Sequence, residues 1–346
     1  MSPQCAARLG ASAGSIALSI LKKVGPYLFA AIALFWVYKH TDKQKLAKAV
    51  EAAPLGWFVA VSALMLVVNC AADTFAMSAV FARFGCHVRY KDLYLVRAST
   101  YLLAIVNYHV GQAAIVGYLY RVKRVPLLRA SGWILFIIGI NVGTLLLLAS
   151  AGATRETGQE NLRLLRLIPL GTGIGVVSYA ALLTLKPRFL ADRALLKPLF
   201  DMGIPGHVMG VLVRLPHIGV LLVWHFISLR MFSVHVTVGA ALLYLPVYFA
   251  AQSLPLNVNG IGIAQPVALA FFAPFTGTPG HLNPEAVTAY SLGTSLVSIA
   301  LQIVLGTICL RWATAIGLKP QPIEPVLDVE APAAADPASP SSEVVG

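Results

Sequence analysis

From Met231 to Pro284 the chain carries no Lys, Arg, Asp or Glu, yet the middle of that stretch reads QSLPLNVNGIGIAQP, polar and dense in helix breakers. A hydrocarbon core is about 30 Å thick and an α-helix rises about 1.5 Å per residue, so a charge-free stretch of this length suits lipid while its centre cannot be one smooth helix. Unpaired backbone groups in hydrocarbon cost on the order of several kcal/mol each, so such a break persists only where protein or a water-filled cavity covers it. The break is therefore the first candidate for a functional centre.

The rest of the composition agrees with a membrane setting. Of 346 residues, 58% are hydrophobic and 12% charged, with mean hydropathy +0.77; an average soluble domain carries about 25% charge. The fold class expected is an all-α polytopic membrane protein. A net charge of +12 raises nucleic acid as a partner, but the Lys and Arg residues sit in short clusters between apolar runs, as loop charges do, and their expected partner is anionic lipid headgroup. Cys5, Cys70, Cys86 and Cys309 are scattered without a CxxC pair or a His at ligand spacing, so neither disulfide, metal nor other cofactor is expected. The opening residues, Gly/Ser-diluted around Arg8, do not make a cleaved signal peptide, and the first span is expected to act as an uncleaved anchor.

Eight apolar runs fall at about 24–38, 55–80, 93–120, 131–151, 167–185, 208–229, 236–275 and 286–312. Six read as ordinary spans. The third is interrupted at Asn107, Tyr108, His109 and Gly111, and the seventh at Pro255 to Pro266. Each of these two either crosses as a bent helix or returns to its own side as a re-entrant hairpin. With the N-terminus cytoplasmic, two hairpins place most of the 26 Lys and Arg residues inside, whereas two full crossings divide them evenly; the positive-inside rule favours hairpins. Lys39, Lys43, Lys45 and Lys48 would then lie outside, unless that loop is an amphipathic surface helix. The order span, span, hairpin, span occurs once over 24–151 and again over 167–312 from the opposite side, which is an inverted repeat of the kind that sets two broken segments face to face in transporters. Residues 1–23 read as a cytoplasmic segment, 24–315 as the membrane domain, and 316–346, rich in Pro, Ala and acid, as a disordered cytoplasmic tail.

The breaks carry a family likeness. SLPLNVNGIGIAQ at 253–265 resembles the LP(x)4GxGxxE signature of the lysylphosphatidylglycerol synthase transmembrane-region family, also called flippase-like. NYHVGQ at 107–112 resembles an earlier segment of that family ending in Gly-Glu. The resemblance implies a multi-span protein of the bacterial inner membrane that moves modified lipids between leaflets or handles lipid-linked sugars. This chain departs from the pattern in placing Gln112 and Gln265 where the family has Glu, and His109 where the earlier motif has Pro. Glutamine donates and accepts hydrogen bonds but holds no charge, which weakens proton coupling or cation recognition and leaves a neutral site for a sugar, hydroxyl or phosphate.

Candidate substrate-contacting residues are Asn107, His109, Gly111, Gln112 and Arg121 in or after the first break, and Pro255, Asn257, Asn259, Gly260, Gly262 and Gln265 in the second. Each also has a plainer role: glycines permit turns and close helix contact, and Asn or Gln side chains satisfy broken backbone. Asp73 lies about 27 Å along a helix from Leu55 and is a candidate cavity acid paired with Arg97 or Arg121. Arg97, Arg121 and Arg214 stand at run edges, where they either snorkel or clamp a phosphate; Arg121, directly after the first hairpin, is favoured. Asn141 and His225 read as interhelical hydrogen-bonding residues.

No nucleophile elbow, P-loop or paired-acid pattern is present. The expectation is a translocator for a polar-headgroup phospholipid or glycolipid, moving through a groove between the hairpins. Two alternatives stay open: a lipid-linked glycosyl or aminoacyl transferase, and a non-catalytic scaffold for a lipid-synthesising partner enzyme.

Overall fold

The structure, a computed structural model, describes residues 35, 38, 39, 41–154, 160–252, 257, 258, 261–277 and 282–318. The N-terminal segment 1–23, almost all of the first apolar run and the acidic tail beyond Leu318 lie outside the described residues. Within them the chain is almost wholly helical. Five helices are long and apolar enough to cross a bilayer, and the protein is an all-α polytopic membrane protein.

Helix α1, Lys43–Ala52, is the surface helix anticipated for the first lysine-rich loop. Asp42 caps it, its carboxylate accepting from Gln44 N (2.9 Å) and Lys45 N (3.2 Å). The spanning helix α2, Leu55–Arg83, follows Pro54. Helices α3, Tyr90–Val106, and α4, Tyr108–Lys123, are the two arms of the third apolar run. Asn107 alone joins them: its backbone is extended (φ −161°, ψ 127°), its N–H ends α3 on Leu103 O (3.1 Å), and its side-chain oxygen accepts from His109 N (2.8 Å) to start α4. One residue thus serves as C-cap and N-cap. The arms pack on each other because Gly111 has no side chain; a Cβ there would sit 3.0 Å from Ala104 Cβ and 3.2 Å from Thr100 O.

Helix α5, Leu127–Ala153, is the next span, followed after a 3-10 segment (Glu160–Leu167) by α6, Ile168–Leu185. Helix α6 leaves Leu170, Ile174, Val176 and Val177 exposed, which a lipid-facing helix does without penalty. Helix α7, Lys197–Met231, is longer than the 208–229 run it contains. Its first turns meet the rest at Gly203, whose φ of 55° and ψ of −174° are left to glycine. The two arms of the seventh run are α8, Val238–Gln252, and α9, Ala264–Phe272. Their base is tied by the Val234–Thr276 bridge and by His235 N donating to Phe275 O (3.0 Å). Between the arms, strand β1 (Asn257–Val258) pairs antiparallel with β2 (Ile261–Gly262). Tyr244 stacks on Phe271 at 5.2 Å between centroids. The last span, α10, covers Pro284–Leu318.

The first arm of hairpin one, α3, lies mainly on α10, and the first arm of hairpin two, α8, lies mainly on α5. Helices α2 and α7 pack on one another.

The α5–α8 contact depends on Gly152, where any Cβ would overlap the backbone at Leu242 and Leu243, whereas Gly139 on the same helix has nothing within 4 Å. Overpacking of such a site costs roughly 1–3 kcal/mol. Gly152→Ala is therefore expected to lower the thermal midpoint of the detergent-purified protein by several degrees, and Gly139→Ala to leave it unchanged or slightly raised. Equal midpoints for the two variants would show that the α5–α8 contact is not tight.

Candidate functional site

The first arms of both hairpins end at one cavity of about 270 Å³. Arg97, Tyr101 and Ala104 face it from a single side of α3, four and three residues apart, and the wall continues through Asn107, Tyr108 and His109. Tyr108 and His109 are exposed and carry this wall to the protein surface. Phe249 and Gln252 line it from the end of α8. The facing wall comes from α7 through Arg214, His217, Trp224 and His225, and α10 adds Thr294, Ser295, Ser298 and Gln302 along one helical stripe.

Asp73 organises the polar end. Its carboxylate accepts from Arg97 Nε at 2.5 Å and from Arg214 Nη1 through its other oxygen, with all three side chains less than one tenth exposed. Arg214 Nε donates to Asn141 Oδ1 (3.1 Å), and Arg97 lies over the Tyr101 ring at 5.3 Å. Two guanidiniums against one carboxylate leave one positive charge in excess. Each guanidinium has five N–H donors. Among the described residues each spends two, Arg97 on Asp73 and Thr100, and Arg214 on Asp73 and Asn141. What remains of a planar donor fork at a cavity wall suits a phosphate or carboxylate. Farther along, His225 Nδ1 and the Tyr290 hydroxyl form a 2.7 Å hydrogen bond, and Trp224 Nε1 donates to Ser62 Oγ (3.2 Å).

The sequence candidates separate into groups. Asn107 and His109 line the cavity. Gly111 and Gln112 are buried one turn into α4 outside its lining, Gly111 at the contact between the arms; Gln112 Oε1 has no partner among the described residues. Arg121, the favoured phosphate arginine, is exposed near the end of α4 and away from the cavity. The arginines at the cavity are Arg97 and Arg214, because the helices extend past the apolar runs: Arg214 lies near the middle of α7, and Arg97 about two turns into α3. Asp73 pairs with both of these, not with Arg121.

In hairpin two, Gln265 Oε1 accepts from Gly262 N at 2.7 Å, and Gly262 has φ 135°. That bond needs only an acceptor, which Gln supplies as Glu would; its role is to hold the start of α9. Asn257 belongs to β1, with its side chain outside the described residues. Pro255, Asn259 and Gly260 also lie outside them. The polar stripe of α10, His217 and Gln252 were not singled out by sequence; Thr294, Ser298 and Gln302, each four residues apart in an apolar span, were the available signal.

Removing one partner of a buried charge cluster typically costs about 3–5 kcal/mol. Asp73→Asn, which leaves two guanidiniums without their carboxylate, is expected to reduce the thermal midpoint strongly. Arg121→Gln, at an exposed position, should leave it within error. A midpoint unaffected by Asp73→Asn would show that water or lipid already screens the cluster.

No curated protein and no solved structure matches the chain. The family model of the lysylphosphatidylglycerol synthase TM region does match, over residues 15–306. That match takes in every spanning helix except the end of α10, together with both breaks and the cavity between them, and the chain belongs to the lysylphosphatidylglycerol synthase TM region family.

Proposed function

We propose that this integral membrane protein translocates a phosphate-bearing lipid headgroup between leaflets, with the headgroup in the cavity between the hairpins and the acyl chains in the surrounding lipid. The observation that carries the reading is the Arg97–Asp73–Arg214 cluster: an excess positive charge, with unspent donors, at the wall of a cavity inside an apolar bundle. Ionisable groups at membrane depth are costly to keep and mark substrate paths. Family membership supports a lipid as the substrate. Asn107, His109, Gln252 and the α10 stripe offer uncharged hydrogen bonds along the path, replacing water around a polar group.

Arm lengths support the hairpin arrangement in the bilayer. Helices α3 and α4 have 17 and 16 residues, α8 and α9 15 and 9; at about 1.5 Å per residue all fall short of a hydrocarbon core of about 30 Å. In this reading hairpin one enters from the cytoplasm and hairpin two from outside, both termini are cytoplasmic, and the membrane is the bacterial inner membrane.

Leaflet exchange of fluorescent phospholipids in proteoliposomes, read by quenching with an impermeant reductant, tests the function. Wild-type protein should exchange lipid well above protein-free liposomes. Arg214→Gln, which keeps the Asp73–Arg97 pair, should slow exchange at least tenfold. Unchanged exchange in the variant would remove Arg214 from the path, and no exchange by folded wild-type protein would remove translocation itself.

Topology is tested with single cysteines on a background lacking the four native ones. His87→Cys and Leu128→Cys flank hairpin one and should react with an impermeant thiol reagent only after permeabilisation. His235→Cys and Leu282→Cys flank hairpin two and should react in intact cells. Labelling that splits either pair across the membrane would show that run to be a full crossing.

A further inference from the structure

The charge inventory of the cavity narrows its ligand, given the translocation reading above. We infer that this chain's cavity selects lipids whose headgroup is a single phosphodiester followed by an uncharged polyol, such as glycerol, inositol or a sugar, and rejects headgroups that end in an ammonium group.

Among the described residues, the cavity has cations and no available anion. Arg97 and Arg214 line it, and no Asp or Glu does among the described residues. The adjacent carboxylate, Asp73, has one oxygen on each arginine. A phosphodiester carries one negative charge, which matches the single positive charge left by two arginines and one aspartate. An ethanolamine or aminoacyl ammonium adds a cation that no carboxylate on the wall pairs, in a low-dielectric space whose arginine excess the phosphate has already matched, where repulsion from the guanidiniums is far stronger than in water.

The remaining lining is built for hydroxyl groups. Thr294, Ser298 and Gln302 follow one stripe of α10, and Gln252 and Asn107 stand at the ends of the two first arms. Thr294 donates its hydroxyl proton to Tyr290 O (2.8 Å) and can accept; Ser298, Gln302, Gln252 and Asn107 have side chains that both donate and accept, as a polyol requires. Trp224 brings an aromatic side chain to the same space, a flat apolar surface against which the C–H face of a sugar or glycerol packs. Trp224 and Tyr101 are also the groups on which a choline cation would bind, but Tyr101 already has Arg97 over its ring.

The test is the exchange assay with lipids labelled on an acyl chain, so that headgroups stay native: phosphatidylglycerol, phosphatidylinositol, phosphatidylethanolamine and phosphatidylcholine. Phosphatidylglycerol and phosphatidylinositol should exchange at least tenfold faster than the two amine lipids. Gln302→Glu, which places a carboxylate on the wall, should reduce that ratio toward one by slowing the first pair and speeding phosphatidylethanolamine. Equal rates for all four lipids, each slowed by Arg214→Gln, would overturn the selectivity and leave translocation through this cavity standing. Faster exchange of the amine lipids would overturn it too. Absence of exchange for every lipid with folded wild-type protein would remove the translocation reading and this inference with it.

Discussion

A carboxylate placed between two guanidiniums, inside a bundle whose outer face is Leu, Ile and Val, is the interaction on which the site depends. Asp73 comes from α2, Arg97 from α3 and Arg214 from α7, so one acid fixes three helices at a common depth. None of the three charges is tolerable there alone. Their imbalance is what gives the cavity a chemical character, because a fully neutralised cluster would hold the helices equally well and offer an anion nothing. Asn141 extends the arrangement to α5 by accepting from Arg214, which makes it part of the charge-holding network and more than a bridge between helices.

Much of the architecture was written in the sequence because hydropathy reports it directly. Apolar runs of span length with few charges, and two such runs broken by polar residues and Gly, mapped onto α2 to α10 with the breaks at Asn107 and after Gln252. The order of segments was legible, while their packing was not: which helix lies on which is set by side-chain and glycine contacts between residues far apart in the chain. The site was harder to read for the same reason. Motif residues drew attention to the breaks, and two of them, Gly111 and Gln265, turn out to make contacts that build the break itself: one lets two helices touch and the other holds Gly262 in a conformation with positive φ. The residues with charge to offer sit on neighbouring helices. Arg214 looked peripheral because the apolar run around it was measured from 208, and only the helix extending back to Lys197 makes it central.

The two glutamines illustrate how a motif position can be read through its bond. At position 265 the hydrogen bond to Gly262 asks for an oxygen acceptor and is indifferent to charge, so replacing a carboxylate by an amide preserves the local fold.

The exchanged pairing of α3 with α10 and of α8 with α5 also bears on how the protein is made. A chain inserted from its N-terminus delivers hairpin one long before its partner helix has been synthesised. Until α10 arrives, the Ala98 and Leu102 side of α3, which closes against Gly306 in the finished molecule, has only lipid or an insertion factor to lie against. Completion of the site thus waits for the last span to leave the ribosome, and a chain truncated between residues 215 and 293 would carry both arginines without the α10 residues that complete the wall.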